Sequence, residues 1–327
     1  MIIKSDKLLQ TPYVSVVLCS YNREDTIVQT IESILNQKVD FTFELIIGDD
    51  GSKDNSRQIL SDYQKKYPEQ ITLIFQDANL GLGGNWASCV KLAKGKYIAS
   101  CDDDDYWHNP NKLQLQIDYL ENHPDTGMVH TEKDDLNVSI NRIILNVYSS
   151  RNQKIPQGFI QKEIFAGKVP ICVSTSLFRK DLIDKYVILD DYIKHRFNIQ
   201  DWPTWVIISK YTKIDYLPIS TCTYRIGHFA ISNLQDYEKQ INKLTLDKRM
   251  YKYLCDMFPN DLDYDERGYD LYVNGVLLSL AYKRSDAKKA NEFAAKMLEL
   301  GDKSWRTRFS ANLFGFWAWW LFKRVFR

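Results

Sequence analysis

The chain has 327 residues, 44% of them apolar, enough for one large α/β domain with a smaller appendage. Its formal net charge of +1 removes any global electrostatic argument for a nucleic-acid partner, and none is expected. The six cysteines (Cys19, Cys89, Cys101, Cys172, Cys222 and Cys255) form no CxxC pair and accompany no histidine cluster. Structural zinc is therefore not expected, Cys19 and Cys101 read as small core residues, and the set points to a reducing compartment.

Residues 14–19 (VSVVLC) form a continuous apolar run typical of a buried parallel strand, and the polar turn Ser20-Tyr21-Asn22-Arg23 follows it. Ile27, Ile31, Ile34 and Leu35 then recur at helical spacing. Residues 43–48 predict a second strand ending at Asp49-Asp50-Gly51-Ser52, a helix runs from about Asp54 to Lys66, and residues 71–75 predict a third strand. A loop marked by Gly81, Gly83 and Gly84 leads into a helix to about Ala93. Residues 96–101 predict a fourth strand, which runs straight into Asp102-Asp103-Asp104-Asp105. Beyond Pro110 a helix to about Asn122 and a strand near 127–131 are expected, then irregular strands over 135–170 and a helical region from about Leu234 to Leu300.

Alternation of strand and helix with short connections predicts a mostly parallel sheet covered by helices on both faces. Ligands bind such sheets outside the carboxyl ends of the strands. Tyr21, Asp50, the segment Asn79–Asn85 and Asp102–Asp105 all fall at such ends, so they converge on one edge. Four consecutive carboxylates after an apolar strand repel one another, and a divalent cation relieves that repulsion; hard oxygen ligands suit Mg²⁺ or Mn²⁺. A solvated acidic loop, or a helix N-cap before Pro110, is the alternative. The position of the run after a buried strand and beside other carboxylates favours the metal.

VSVVLCSYNR, IIGDDGS and NLGLGGNWASCVKLAKGKYIASCDDDDYWHNPNKL, in this order and spacing, resemble the family 2 glycosyltransferases of the GT-A fold. The resemblance is close over about residues 12–131 and looser to about residue 233. It implies an α/β GT-A domain over 1–233, with a nucleotide-sugar half at 12–131 and an acceptor half at 132–233, followed by a helical extension over 234–302. In that reading Tyr21 packs on the nucleotide base, Asp50 accepts a hydrogen bond from it, and Asp49 supports the turn. Asn79, Gly81 and Asn85 line the nucleotide-sugar; a plain helix entry is the alternative for this loop. Asp102 and Asp104 match the ends of the DxD motif, with Asp102 on the ribose or metal shell and Asp104 on the metal. Asp103 shares the ribose contact and Asp105 orients acceptor or ligand. The run holds several DxD registers, and the choice among them stays open.

The inverting mechanism implied by the resemblance needs a carboxylate base for the acceptor hydroxyl. The matching segment is FNIQDWPTWVIISKY, which makes Asp201 the candidate, Trp202 an acceptor platform, and Asp190 and Asp191 the runners-up. On local sequence alone Asp201 reads more readily as a helix N-cap, and it is the position within the resembling segment that favours the base. The segment CTYRIGHFAIS (222–232) resembles a YR-x-x-H loop that closes over the diphosphate, so Arg225 and His228 are candidate phosphate contacts and His228 a candidate metal ligand. The QxxRW motif of processive relatives is not visible, which implies one sugar per encounter.

The polar N-terminus and the lack of any apolar stretch of about 18 residues predict no signal segment and no transmembrane helix. Residues 303–327 hold four of the eight tryptophans and six Lys or Arg flanking a short apolar block. That composition suits a helix lying on an anionic membrane surface, with a core or partner-binding helix as the alternative. The expected place is cytoplasmic, peripheral to the inner face of the plasma membrane, with a nucleotide-sugar donor and a glycan or polyprenyl-linked acceptor. Oligomeric state is not legible. A sugar-phosphate nucleotidyltransferase would want a Gly-rich, basic loop where SYNRED stands. A non-catalytic binding module would have no need of both the metal aspartates and the base. An oxidoreductase would want GxGxxG after the first strand.

Overall fold

The structure is a computed structural model that describes residues 1–4, 11–227 and 236–312. His228 and residues 313–327, including the apolar block of the predicted membrane segment, lie outside the described residues. The chain divides into two compact units, Met1–His228 and Phe229–Arg327.

The first unit opens with β1 (Ile2–Ile3), β2 (Val14–Ser20), α1 (Ile27–Leu35), β3 (Phe43–Asp49), α2 (Ser56–Lys66), β4 (Ile71–Phe75), α3 (Gly81–Val90) and β5 (Tyr97–Asp102). It continues with α4 (Lys112–Asn122), β6 (Thr126–Asn137), β7 (Arg142–Ile144), α5 (Val147–Ser150), α6 (Gln161–Phe165), a 3₁₀ turn at Val173–Thr175, β8 (Leu177–Arg179), α7 (Lys180–Tyr186), α8 (Leu189–Lys194), α9 (Asp201–Ile208) and β9 (Lys213–Ile226). The nine strands form one sheet in the order β1-β4-β3-β2-β5-β8-β6-β7, with β9 paired to β6.

Strands β4, β3, β2 and β5 are mutually parallel. Their side chains alternate between two buried faces. Val14, Val16, Leu18, Phe43, Leu45, Ile47, Tyr97, Ala99 and Cys101 enter one core, which also takes Ile27, Ile31 and Ile34 of α1 and Leu113, Ile117 and Leu120 of α4. Period-two burial on the strands meeting i, i+4, i+7 burial on α1 is what packs this helix layer on this sheet. On α3, Asn85 fixes the helix to the sheet: its Nδ2 donates to the Gly48 carbonyl at 2.7 Å, and its Oδ1 accepts from Gln76 Nε2 at 3.0 Å.

The other half departs from the expected pattern in two ways. Strand β8 inserts antiparallel between β5 and β6, pairing Leu177 with both Ala99 and Val129. Three residues amid polar sequence give too little periodicity to be read. Strand β6 runs on to Asn137, well past residue 131, although its second part is TEKDDLN. These buried charges are satisfied by a neighbouring turn. Glu132 accepts from the backbone N–H groups of Lys133, Tyr148 and Ser149, and Asp134 accepts from Asn146 N and Ser220 Oγ. Lys133 pairs with Asp135 and lies 4.3 Å over the Tyr224 ring. Pairing of buried charges is the condition for burying them, and it turns a loop-like sequence into strand.

The second unit contains α10 (Tyr237–Met257), α11 (Glu266–Lys283), α12 (Ala287–Glu299) and α13 (Trp305–Ser310). Each of the first three opens on an aspartate, Asp236, Asp265 and Asp286, whose side chain accepts the N–H three residues on. This N-capping breaks the single helical region read from the sequence into separate helices. Their shared core comprises Leu244, Leu277, Leu278, Ala281, Ala290, Phe293 and Ala294, with Tyr282 at its margin. Helix α13 joins it through Ser310, whose Oγ lies 2.5 Å from the Tyr282 hydroxyl. No helix among the described residues is long and apolar enough to cross a membrane.

Candidate active site

Parallel register brings the carboxyl ends of the strands together: Ser20 faces Asp49, and Cys19 faces Asp102. The turns that follow form one continuous edge. Asp49, fully buried, holds the first turn by accepting from Ser52 N at 3.2 Å and Arg57 Nε at 2.5 Å. Arg57 also donates to the Gln76 carbonyl at 3.0 Å, tying the β3 turn to the β4 turn.

Asp50 spans the gap to α3. Its two carboxylate oxygens accept from Leu80 N at 2.7 Å and Gly81 N at 2.9 Å, N–H groups that open this helix and have no partner within it. Burial pushes its carboxyl up to about 6, against the pull of those two donors. Asn79 Nδ2 donates to the Asp50 carbonyl at 3.0 Å. Gly81 adopts φ +76°, a conformation glycine takes without cost. Gly83 answers a close approach, but to protein: a Cβ there would stand 2.4 Å from the Phe197 carbonyl oxygen, on the segment that leads to Asp201. Asn85 is a correction. It is 1% exposed and engaged at both ends of its amide within the sheet, so it does not line a ligand surface.

The four aspartates separate into different environments. Asp105 is fully buried, and its carboxylate accepts from Ser174 Oγ at 2.6 Å and Arg225 N at 3.1 Å. It therefore ties β5 to β9 and does not face a ligand, which corrects its expected role toward the acceptor. Asp103 accepts from Tyr21 N at 2.9 Å and Arg23 Nε at 3.1 Å. Burial pushes its carboxyl up to about 7, with the Arg23 charge opposing. Asp104 pairs with Arg23 Nη2 at 3.2 Å. The Asp102 carboxyl is driven well above the usual carboxylate range by burial, then by the charges of Asp105, Asp104, Asp201 and Asp103.

Asp201, far along the chain from the acidic run, is among the charges that raise the Asp102 carboxyl, after burial and the charges of Asp105 and Asp104. It is the first residue of α9, with Gln200 in the cap position. Burial raises its own carboxyl above the ordinary value, partly offset by its own N–H and that of Trp202. Asp190 is 81% exposed and paired with Lys91, while Asp191 lies 3.8 Å from His195 on the same short helix.

Tyr21 is exposed at the sheet edge. Trp202 donates Nε1–H to the Ile164 carbonyl at 2.9 Å and stacks on Phe165 with ring centroids 5.8 Å apart. Arg225 is committed to the acidic run: its guanidinium donates to the Asp104 carbonyl and to Gln29 Oε1, and lies 5.1 Å from the centre of the Tyr106 ring.

Reading the sequence missed Arg23, Ser174 and Thr30. Thr30 Oγ1 donates to the Asp105 carbonyl at 2.6 Å, and Ser174 Oγ both donates to Asp105 and accepts from Asp102 N. Arg23 had a signal, a lone cation in the turn opposite an acidic run. Ser174 had none, because it sits in a short 3₁₀ turn for which the sequence offered no pattern.

No group of three or more metal-ligating side chains converges among the described residues. The donor chemistry nonetheless fits a hard cation. Mg²⁺ and Mn²⁺ sites of this kind use one or two carboxylates and complete the shell with phosphate oxygens and water, and Asp102 and Asp104 supply two carboxylates crowded by like charges.

The profile of glycosyl transferase family 2 matches residues 15–187, more than half the chain and all the parallel strands that build this edge. The chain belongs to glycosyl transferase family 2. It is 34% identical over 239 residues to the Escherichia coli UDP-Glc:α-D-GlcNAc-diphosphoundecaprenol β-1,3-glucosyltransferase WfaP, covering 71% of this chain and 85% of that protein. It is 30% identical over 248 residues to an uncharacterized glycosyltransferase of Methanocaldococcus jannaschii, covering 75% of this chain and 78% of that one. Other family relatives match only in part: an uncharacterized Mycobacterium bovis protein is 38% identical over 112 residues, which span 32% of its length. Among solved structures, Staphylococcus aureus TarS 1–349 in complex with UDP-GlcNAc shares the fold at a TM-score of 0.54 and 15% identity, over 92% of this chain and 88% of that one. A Pyrobaculum calidifontis mannosyltransferase in complex with GDP-Man and Mn²⁺ does so at 0.54 and 15%, over 98% and 90%. The nine-stranded sheet with its helices is thus a GT-A fold.

Proposed function

We propose that this chain is an inverting, metal-dependent glycosyltransferase that moves one sugar from a nucleotide-sugar, a UDP-sugar in the first instance, to a glycan or lipid-linked acceptor of surface polysaccharide synthesis. The observation that carries this reading is the convergence of the Asp50 turn and the acidic run on one edge of a parallel sheet within the stretch that matches the family. Donor and acceptor classes are supported by WfaP, named for a UDP-Glc donor and a diphosphoundecaprenol-linked acceptor.

In this reading Tyr21, Asp50 and the Asn79–Gly81 turn receive the nucleotide, with Asp103 at the ribose. Asp102 and Asp104 hold Mg²⁺ or Mn²⁺; when bound, the cation offsets the charge of the departing nucleoside diphosphate. Asp201, with its carboxyl raised by burial, takes the proton of the acceptor hydroxyl as that oxygen bonds to the anomeric carbon. The bond from that carbon to the phosphate oxygen breaks in the same step, and its electron pair leaves with the diphosphate. Trp202 borders the acceptor side. His228, outside the described residues, remains a candidate metal ligand and Arg225 a candidate phosphate contact.

A screen of UDP-, dTDP- and GDP-sugars with the full chain and Mn²⁺ or Mg²⁺ tests the reading. Donor hydrolysis, followed by transfer to a polyprenyl-diphosphate-linked sugar, is expected with one of them. Hydrolysis without a divalent cation, or none with any donor, would refute it.

Membrane attachment through 303–327 is supported by composition and by the exposed aromatic pair Trp305 and Phe309, one turn apart on α13 with ring centroids 6.1 Å apart. Because α13 packs into the helical core, the clean test is removal of 313–327 alone. The truncated chain is expected to stop sedimenting with anionic phosphatidylglycerol vesicles, and unchanged sedimentation would refute the attachment.

A further inference from the structure

Arg23 stands at the centre of the acidic edge, and the function proposed above gives it no task. Its backbone is pinned: Arg23 N donates to Ser56 Oγ at 2.9 Å, and its carbonyl accepts from Ile27 N at 2.9 Å where α1 begins. Its side chain, 26% exposed, bridges two carboxylates, with Nε 3.1 Å from Asp103 Oδ1 and Nη2 3.2 Å from Asp104 Oδ2. The side chain can therefore move by rotamer change alone while the turn stays fixed.

We propose that Arg23 is a resident counter-cation of the donor site, neutralising Asp103 and Asp104 until a divalent cation and nucleotide displace it from Asp104 onto the diphosphate. This inference rests on the metal-dependent reading above. A divalent ion on the Asp104 carboxylate would stand beside the guanidinium at Asp104 Oδ2 and repel it, so cation binding to the donor-free protein competes with the ion pair. The guanidinium freed from Asp104 has donors to spare beside Asp103, and its planar fork matches phosphate oxygens. The nucleotide supplies that anion, so cation and donor strengthen each other's binding, and linkage makes the effect reciprocal. The consequence is a site that resists cations while empty and accepts them together with the donor. Arg23 is thus a positioning residue that couples two ligands.

The test is Mn²⁺ titration of the full chain, followed by the electron paramagnetic resonance signal of free Mn²⁺, without nucleotide and with saturating UDP or GDP. Arg23→Gln removes the charge and keeps a donor for Asp103. It is expected to bind Mn²⁺ about tenfold more tightly than wild type without nucleotide, and to gain correspondingly less when nucleotide is added. Arg23→Lys, which serves if the glutamine variant does not fold, cannot bridge both carboxylates and is expected to shift donor-free affinity in the same direction by a smaller factor. Equal donor-free affinities in wild type and variants, with Mn²⁺ bound by all, would overturn this inference and leave the metal-dependent reading standing. No Mn²⁺ binding by any protein, with or without either nucleotide, would overturn both.

Discussion

Asp201→Asn is expected to abolish nearly all sugar transfer, by roughly 10²–10⁴-fold, the usual contribution of a positioned general base. Binding of nucleotide should stay within about twofold of wild type, because the carboxylate belongs to α9 and does not hold the nucleotide. Loss of kcat with preserved donor affinity is the signature to seek, by initial rates of transfer alongside nucleotide titration. The wild-type pH profile supplies a second reading. Burial raises the Asp201 carboxyl, and the base must be ionised, so activity should rise with pH along an acid limb lying above the ordinary carboxylate range. Full transfer by the asparagine variant would dismiss Asp201 as the base.

Asp104→Asn is expected to weaken Mn²⁺ binding in the presence of nucleotide by at least about tenfold and to reduce transfer by roughly 10²–10³-fold, the scale of several kcal/mol of charge stabilisation. Asp105→Asn provides the contrast. Asp105 is fully buried between Ser174 and Arg225 N, so its replacement should lower the thermal midpoint while leaving Mn²⁺ affinity of the folded fraction intact. Together the pair decides the register of the motif. Loss of Mn²⁺ binding in Asp105→Asn with retention in Asp104→Asn would move the metal to the other register.

The parallel half of the fold was legible because its signals are local. Apolar runs of five to seven residues ending in polar turns mark β2, β3, β4 and β5, and parallel connectivity alone then places Tyr21, Asp50 and Asp102 on one edge. What was not legible depends on pairing between distant segments. The aspartates of the acidic run look alike in sequence and differ only by what meets them: Ser174 and Arg225 at Asp105, Tyr21 and Arg23 at Asp103. Asn85 reads like a ligand-binding residue in a Gly-rich loop, and only the carbonyl of Gly48 shows that it faces inward. The charged half of β6 reads as loop because the turn that satisfies Glu132 and Asp134 follows it in the chain.

The three residues of β8 have a practical bearing on protein engineering. Leu177–Arg179 come from the later part of the first unit, yet they lie against β5, and Lys180 N donates to the Lys96 carbonyl beside them. Splitting the unit near residue 131 would leave β5 with a bare edge of unpaired backbone groups, a template for self-association. Chimaeras that exchange the later part of this unit should therefore carry 177–179 with the recipient's β5, placing crossovers on either side of that strand.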